Sequence, residues 1–380
     1  MRSRIVIVWF MFALCCISTA AQSPQAPSVR STEADTTIVD VPLFGKRKEI
    51  TYYSAERGLP ITERSEHEGW QAMWWNVENL FHPDIDSLNP DREFTPEGMR
   101  RWTYSRYRTK VAQIAQVVAN AGGWQGIDIV GLCEVEDSAC VADICRALGN
   151  GYRAVHYDSP DPRGIDVALL YRSTCTLLCS QPIPVRFSDG KPTRDLLYAR
   201  LVMPQRDTID ILLCHLPSMR GGYSAAARHR KEAQTTIQHT IDSLLLNDPT
   251  RQIILMGDMN DDPHDDLRNM HNRMCDMQAK SSEPIKEVRS PCRTTPQPMS
   301  NKHAQGTYKY RGIWSYLDQC YLSESLQNRP TELFVYAPDY LLEDDERFLG
   351  SQPKRTYIGM RYHGGCSDHL PIVLKMVSKL

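Results

Sequence analysis

The feature that most narrows the fold is a recurring unit: a short, unbroken apolar run that stops abruptly at polar residues. The first such run is Ala72–Val77, and others follow at Ile127–Cys133, Asp166–Tyr171, Leu196–Met203, Ile209–Cys214, Gln252–Met256, Tyr316–Leu322 and Ile372–Val377. Each has the length of a strand. Hydrophobicity that is continuous rather than alternating predicts burial on both faces.

Two segments carry the helical period instead. Tyr107, Val111, Ile114, Ala115 and Val118 line one face of Tyr104–Asn120, and Gly122-Gly123 stops it. Ala233, Ile237, Ile241, Leu244 and Leu245 repeat the pattern in Ser224–Leu246, ended by Asn247-Asp248-Pro249. Strands alternating with helices predict an α/β fold of two packed sheets flanked by helices, with the polar run ends gathered at one edge. Residues 281–305, rich in Ser, Pro, Lys and Arg and without period, read as a long surface loop.

The 380 residues could hold two domains, but the runs span almost the whole chain and predict one domain over residues 69–380. Ahead of it, basic Arg2 and Arg4, the uncharged apolar stretch Ile5–Ile17 and the small residues at 18–21 read as a signal peptide over residues 1–21. The stretch is short for a membrane span, and an uncleaved membrane anchor is the alternative. Ala13-Leu14-Cys15 fits a lipoprotein signal poorly. Residues 22–68 read as a polar leader with one strand at Ile50–Tyr53. The expected localisation is secreted or periplasmic.

Without residues 1–21 the charge balance is 42 − 46 = −4, since two of the 44 basic and none of the 46 acidic residues are lost. Such a chain exerts no global pull on nucleic acid, and polyanion binding would rest on a local patch. Export permits disulfides among the ten remaining cysteines, and the lack of any CxxC pair argues against a zinc ribbon. Cys133, Cys175, Cys214 and Cys320, inside apolar runs, read as buried free thiols. Cys140 with Cys145, and Cys275 with Cys292, are the better bridge candidates.

Five polar clusters flank the runs: Asn76-Val77-Glu78-Asn79, Glu134-Val135-Glu136-Asp137, His215-Leu216-Pro217-Ser218, Gly257-Asp258-Met259-Asn260 and Ser367-Asp368-His369-Leu370-Pro371. A single strand-end Asn or Asp is most often a turn former, and a lone His most often a satisfied interior group. Five clusters, each against an apolar run, point to one site. With Gly164-Ile165-Asp166-Val167-Ala168 and Trp314 to Asp318, the series resembles the endonuclease/exonuclease/phosphatase superfamily over about residues 70–378. That group includes pancreatic deoxyribonuclease, abasic-site endonucleases, neutral sphingomyelinases and inositol polyphosphate 5-phosphatases. Gly-Asp-x-Asn and Ser-Asp-His are the most specific elements.

The resemblance implies a four-layered α/β sandwich, two packed, mainly antiparallel sheets flanked by helices, with a phosphoesterase site at one edge. Cutting a phosphate ester requires neutralised phosphoryl oxygens, an oriented water and a protonated leaving group. The resemblance assigns Glu134 as the main ligand of Mg²⁺ or Mn²⁺, Asn76 beside it at metal and substrate, and Asp368 as a second metal carboxylate. Asp258 orients or deprotonates the water and Asn260 holds a phosphate oxygen; two residues apart, they share one face of an extended segment. His369 contacts the phosphate, and Asp318 fixes its tautomer. His215 serves as general acid or phosphate ligand. Arg163 and Asp166 contact substrate. Glu78 either supports the site or only packs.

The favoured function is a secreted DNA or RNA endonuclease. The alternative is a phosphatase or lipid phosphodiesterase, and a third reading is a catalytically dead binding protein, against which the complete residue set argues. No obligatory protein partner is implied, and a monomer is expected. Arg92, Arg100, Arg101, Arg106, Arg108 and Lys110 crowd together with Trp102, Tyr104 and Tyr107. They suit either nucleic-acid contact or a charged helix face with inward-packed aromatics, and the latter is favoured. Lys302, Lys309 and Arg311 around Tyr308 and Tyr310 make a second such grouping.

Overall fold

In the computed structural model the apolar runs form strands that bury both faces. Residues 69–84, 92–149, 151–218, 223–261, 285–287, 304–327, 329 and 331–377 are described. The expected signal peptide, the leader with its Ile50–Tyr53 strand, Cys275, Cys292 and Lys302 lie outside the described residues.

One six-stranded sheet holds β1 (Trp70–Leu80), β2 (Ile129–Val135), β3 (Tyr152–His156), β4 (Asp166–Arg172), β13 (Thr331–Val335) and β18 (Ile372–Met376), in the order β13-β18-β1-β2-β4-β3. The other holds β5 (Thr176–Ile183), β6 (Leu196–Val202), β7 (Thr208–His215), β8 (Gln252–Asp258), β9 (Ile285–Glu287) and β12 (Asp318–Ser323), in the order β5-β6-β7-β8-β12-β9. Short ribbons β10–β11 (Tyr308–Tyr310, Ile313–Ser315), β14–β15 (Leu342–Asp344, Ser351–Pro353) and β16–β17 (Tyr357–Ile358, Arg361–Tyr362) sit outside the sheets. The helices are α1 (Tyr104–Ala121), α2 (Ser138–Ala147), α3 (Tyr223–Asn247) and the single turn α4 (Glu324–Gln327).

Three apolar cores separate four layers. The middle core joins Trp70, Ala72 and Trp74 of the first sheet to Leu213, Ile254 and Met256 of the second. Alternate residues of β1, Met73, Trp75 and Val77, enter the core under α1 and α2. The third core packs Ala233, Ile237 and Ile241 of α3 on Leu212 and Leu255. This is the expected sandwich, mainly antiparallel, with one parallel pair per sheet: β1–β2 and β7–β8. A parallel pair needs a crossover, and α1 and α3 supply the two. The C-terminal ends of these four strands carry Asn76, Glu134, His215 and Asp258.

Two expectations are corrected and two hold. Ile285–Glu287 pairs antiparallel with β12, so the segment expected as a loop over residues 281–305 contains a strand. Cys140 and Cys145 are free and buried. Five residues apart on α2, they point about 140° away from each other. Cys133, Cys175, Cys214 and Cys320 are buried free thiols, as expected. The basic–aromatic segment is mostly scaffold: Trp102 and Tyr107 are buried, and Arg100 pairs with Glu93 and lies over the Phe94 and Tyr357 rings.

Candidate active site

The strand ends leave regular geometry where the site begins. Glu78, Asn79, Glu134 and Asn260 all have left-handed backbone, with φ of 52°, 54°, 63° and 50°. Each costs roughly 1–2 kcal/mol for a residue with a Cβ. Such strain persists where surrounding contacts hold it, and it turns the strand-end side chains inward. Register breaks between Asn76 and Leu80 of β1 and between Cys133 and Val135 of β2 accompany it. The glycine of Gly-Asp-x-Asn has a steric cause: a Cβ on Gly257 would lie 2.2 Å from Cys214 Sγ and 2.5 Å from its carbonyl oxygen.

Asn76 ties the two sheets together. Its amide nitrogen donates to Asp258 Oδ2 at 3.0 Å and to Glu134 Oε1 at 3.4 Å, and its oxygen accepts the Glu78 N–H at 3.0 Å. It therefore holds both carboxylates as a donor. Glu134 accepts the Asn79 N–H through Oε2 at 2.9 Å and is partly exposed. Arg163 places Nη2 3.8 Å from the same oxygen and donates to Asn79 Oδ1 at 2.6 Å. His215 Nε2 lies 3.7 Å from Asp258 Oδ2 and 3.9 Å from Glu134 Oε1.

Asp258 and Asp318 pair across β8 and β12. Asp318 is fully buried, accepting Trp74 Nε1–H at 2.9 Å on one oxygen and meeting His369 Nδ1 at 2.7 Å on the other. His369 Nε2 faces Asp258 Oδ2 at 3.9 Å. Burial alone would push the His369 imidazole down. The carboxylates of Asp318 and Asp258 outweigh it and hold the ring well above its ordinary value. His215 goes the other way: burial, then the cations Arg194, Arg163 and His369, hold it well below. The pair thus offers one cationic and one neutral imidazole. Burial pushes Asp258 up to about 7, with His369 opposing and Asp318 adding.

The remaining expected residues are spread around this centre. Asn260 donates its amide to Leu216 O at 2.9 Å, and its N–H to Asp258 Oδ1 at 3.0 Å. Asp166 is buried, accepts the Ser159 N–H at 3.0 Å and the Ser159 hydroxyl, and is pushed up to about 7 chiefly by burial. Asp368 pairs with Arg355 Nη2 at 3.4 Å. Glu78 supports the site: its carboxylate accepts Thr356 N–H at 2.7 Å, and burial, then Asp368, pushes it up to about 7.

Three contributors have no motif in the sequence. Lys110 is buried and donates to Glu78 O and to Thr356 Oγ1 at 2.7 Å. Arg194 pairs with Asp161 at 2.8 Å in a buried contact and donates to His215 O at 3.0 Å and Leu216 O at 3.3 Å. Arg355 lies against the Tyr308 ring, which in turn sits 4.8 Å from the His369 ring. Only Lys110 left a trace, as a charge at an inward position of α1's apolar face.

The model of the endonuclease/exonuclease/phosphatase family matches residues 72–378. The chain belongs to this family. Its members are metal-dependent phosphoester hydrolases, and so is this chain. Truncated TDP2 from Caenorhabditis elegans is similar at 17% identity and a TM-score of 0.50, over 83% of this chain and 100% of that one. A family protein from Bacteroides thetaiotaomicron is similar at 14% identity and a TM-score of 0.51, over 82% and 96%. A mannosyl-6-phosphatase from the same organism gives 14% identity and a TM-score of 0.48, over 81% and 100%. These likenesses are of fold. No curated protein matches the sequence.

A divalent cation fits the residues present. Asp258, Asp318 and His369 lie close enough together to share an ion, but the His369–Asp318 hydrogen bond already occupies that group. Glu134 is the accessible carboxylate of the centre, and an all-oxygen donor suits a hard cation.

Proposed function

We propose that this chain is an exported phosphodiesterase that cuts nucleic acid, with Mg²⁺ or Mn²⁺ held chiefly by Glu134. The observation that carries the catalytic reading is the Asp258–His369–Asp318 group: a carboxylate facing a cationic imidazole whose far nitrogen is fixed by a second carboxylate. A bound cation would neutralise phosphoryl charge and stabilise the departing oxygen.

The chain's own side chains supply the rest. Asp258 orients the attacking water and takes its proton, as its environment suits near neutral pH. His369 sets a fixed positive charge against the phosphoryl oxygens. Asn76 holds Asp258 and Glu134 in register. His215, neutral, offers a hydrogen bond beside Asp258, and Arg163 guides the anion in. Asp368, paired with Arg355, adds negative charge at His369 and supports the centre. The P–O bond to the leaving group breaks, the departing oxygen takes a proton from solvent, and Asp258 returns to solvent the proton it took from the attacking water. Asn260 and Asp166 shape the floor through Leu216 and Ser159.

A phosphomonoesterase is the second reading, favoured by Arg163, whose half-exposed guanidinium beside Glu134 would suit a terminal dianion. The test is hydrolysis by residues 22–380 with Mg²⁺ or Mn²⁺, in parallel on plasmid DNA, RNA, bis-nitrophenyl phosphate and phosphomonoesters, with Glu134→Gln and His369→Ala beside the wild type. Nicking that needs metal and is lost in both variants supports the proposal. Turnover of monoesters alone transfers the same residues to the second reading. Export is tested by fractionating cells and sequencing the N-terminus, expected at Ala21 or Gln22.

A further inference from the structure

Ribbon β10–β11 leads directly out of the site. Tyr308, its first residue, forms a β-bridge with His369, and the next backbone bond runs from Leu370 N–H to Thr307 O at 2.7 Å. The Tyr308 ring lies 4.8 Å from the His369 imidazole. Residues two apart on a strand share a face, so Tyr310 continues the line about 6.6 Å further out. Its partner across the ribbon is Ile313. Tyr310 and Ile313 are 56% and 70% exposed, an open apolar step beside a catalytic histidine.

Cations accompany the line. Arg355, whose side chain is 31% exposed, has its guanidinium 5.6 Å from the Tyr308 ring centre, and Arg311 lies 5.2 Å from that of Tyr310. Arg355 makes its contacts to Tyr308 Oη and Asp368 with the same nitrogen, Nη2. In a mildly acidic chain, two arginines set against successive aromatics mark a local exception.

The ribbon is anchored at its turn and on its far face. Arg311 and Gly312 have φ of 49° and 85°, the two-residue turn that suits strand twist. Lys309, on the opposite face, makes a buried 2.8 Å pair with Asp345 and donates to Leu349 O. A platform held this way loses little freedom on binding.

We propose that β10–β11 is a binding track for an unpaired nucleic-acid segment next to the scissile phosphate, with a base on Tyr310 and backbone phosphates at Arg355 and Arg311. The inference rests on the nuclease reading above and narrows its substrate to single strands. A strand of stacked nucleotides advances about 3.4 Å per residue. Spacing of about twice that between the two tyrosines calls for an extended strand, and bases locked in a duplex expose no face for Tyr310.

The experiment compares kcat/KM on a single-stranded dodecamer, the same sequence as a duplex, and bis-nitrophenyl phosphate, for wild type, Tyr310→Ala, Arg311→Gln and Trp124→Ala. Trp124 is a fully exposed aromatic in the turn after α1 and controls for surface truncation. Turnover of the small diester confirms that each variant is folded. The proposal expects Tyr310→Ala to lower the single-strand to small-diester ratio roughly ten-fold through KM, as for one lost base–aromatic stack. It expects Arg311→Gln to shallow the log–log salt slope by about 0.7, one phosphate contact on a single strand, and Trp124→Ala to match wild type. Single-strand cleavage with the ratio unmoved by Tyr310→Ala would overturn the track while the nuclease reading stands. Equal or better cleavage of the duplex would overturn the single-strand assignment. Turnover of monoesters with no cut in any nucleic acid would remove the nuclease reading and the track with it.

Discussion

Replacing Asp318 by asparagine tests the centre with a minimal change in shape. Asp318 receives two donors, Trp74 Nε1–H at 2.9 Å and His369 Nδ1 at 2.7 Å. An indole can only donate, so the single amide oxygen of the substituted side chain must stay with Trp74. The new NH₂ group then faces His369 Nδ1. That nitrogen can no longer carry a proton, and the ring is forced into the neutral tautomer with hydrogen on Nε2. The lost attraction is large: a unit charge pair about 2.7 Å apart at an effective dielectric near 20 is on the order of 6 kcal/mol, several pKa units. Burial, which already opposes the cation, would then win. The wild-type group, raised in the fold, is cationic at neutral pH and loses its charge only as pH rises through that raised value. In the variant this falling limb of kcat/KM moves to low pH. A forced tautomer of this kind costs about 10⁴ in a serine-protease triad, and a loss of about 10³–10⁴ at pH 7 is expected here. The assays are the pH–rate profile on bis-nitrophenyl phosphate and ¹⁵N chemical shifts of the His369 ring. A loss of less than three-fold, or an imidazolium signature at pH 7 in the variant, would refute the reasoning.

Other consequences follow from the supporting groups. Arg194→Met leaves Asp161 as an unpaired buried charge and takes the guanidinium from the His215 carbonyl, while Leu216 O keeps the Asn260 amide; it should cost about 3–5 kcal/mol in urea unfolding and lower kcat as well. Lys110→Met should cost about 1–3 kcal/mol, because the Glu78 carbonyl and the Thr356 hydroxyl lose their buried donor, while Glu78 itself can take up a proton. Asp166 has a folded value of about 7 against 3.8 for the free group, so its favourable contribution is complete below the free value and is lost as pH rises through about 7, roughly 4 kcal/mol in all. Asp166→Asn, which keeps an oxygen for Ser159, should therefore gain thermal stability over wild type as pH rises from 5 to 8. A melting-temperature difference that is flat with pH would contradict this.

Much of this protein could be read along the chain. Runs such as Gln252–Met256 had to be buried strands, because a continuous apolar stretch of that length can only lie between two layers. The helical period placed α1 and α3 within a residue or two of their observed ends. The polar residues that close the runs foretold the site because they recur at the ends of β1, β2, β7 and β8. Weak elements escaped: β5 has no buried residue along its length, so it carries no burial signal, and α2 is only ten residues long.

Tertiary structure decided which neighbours each charge meets. Sequence named Asp318 and His369 as partners only by family resemblance, whereas the 51 positions that separate them are bridged by a strand pairing and a Trp74 contact that no local pattern encodes. Arg194 and Arg355 were unreadable for the same reason, and Lys110 showed only as a charge on an apolar helix face. A lysine on a helix face or an arginine in a loop is ordinarily solvated, and its role here depends on being buried against carboxylates and carbonyls from distant strands. Local sequence determines which residues alternate, cap and turn. The electrostatic work of the site depends on distance and burial, and those exist only once the two sheets have closed on each other.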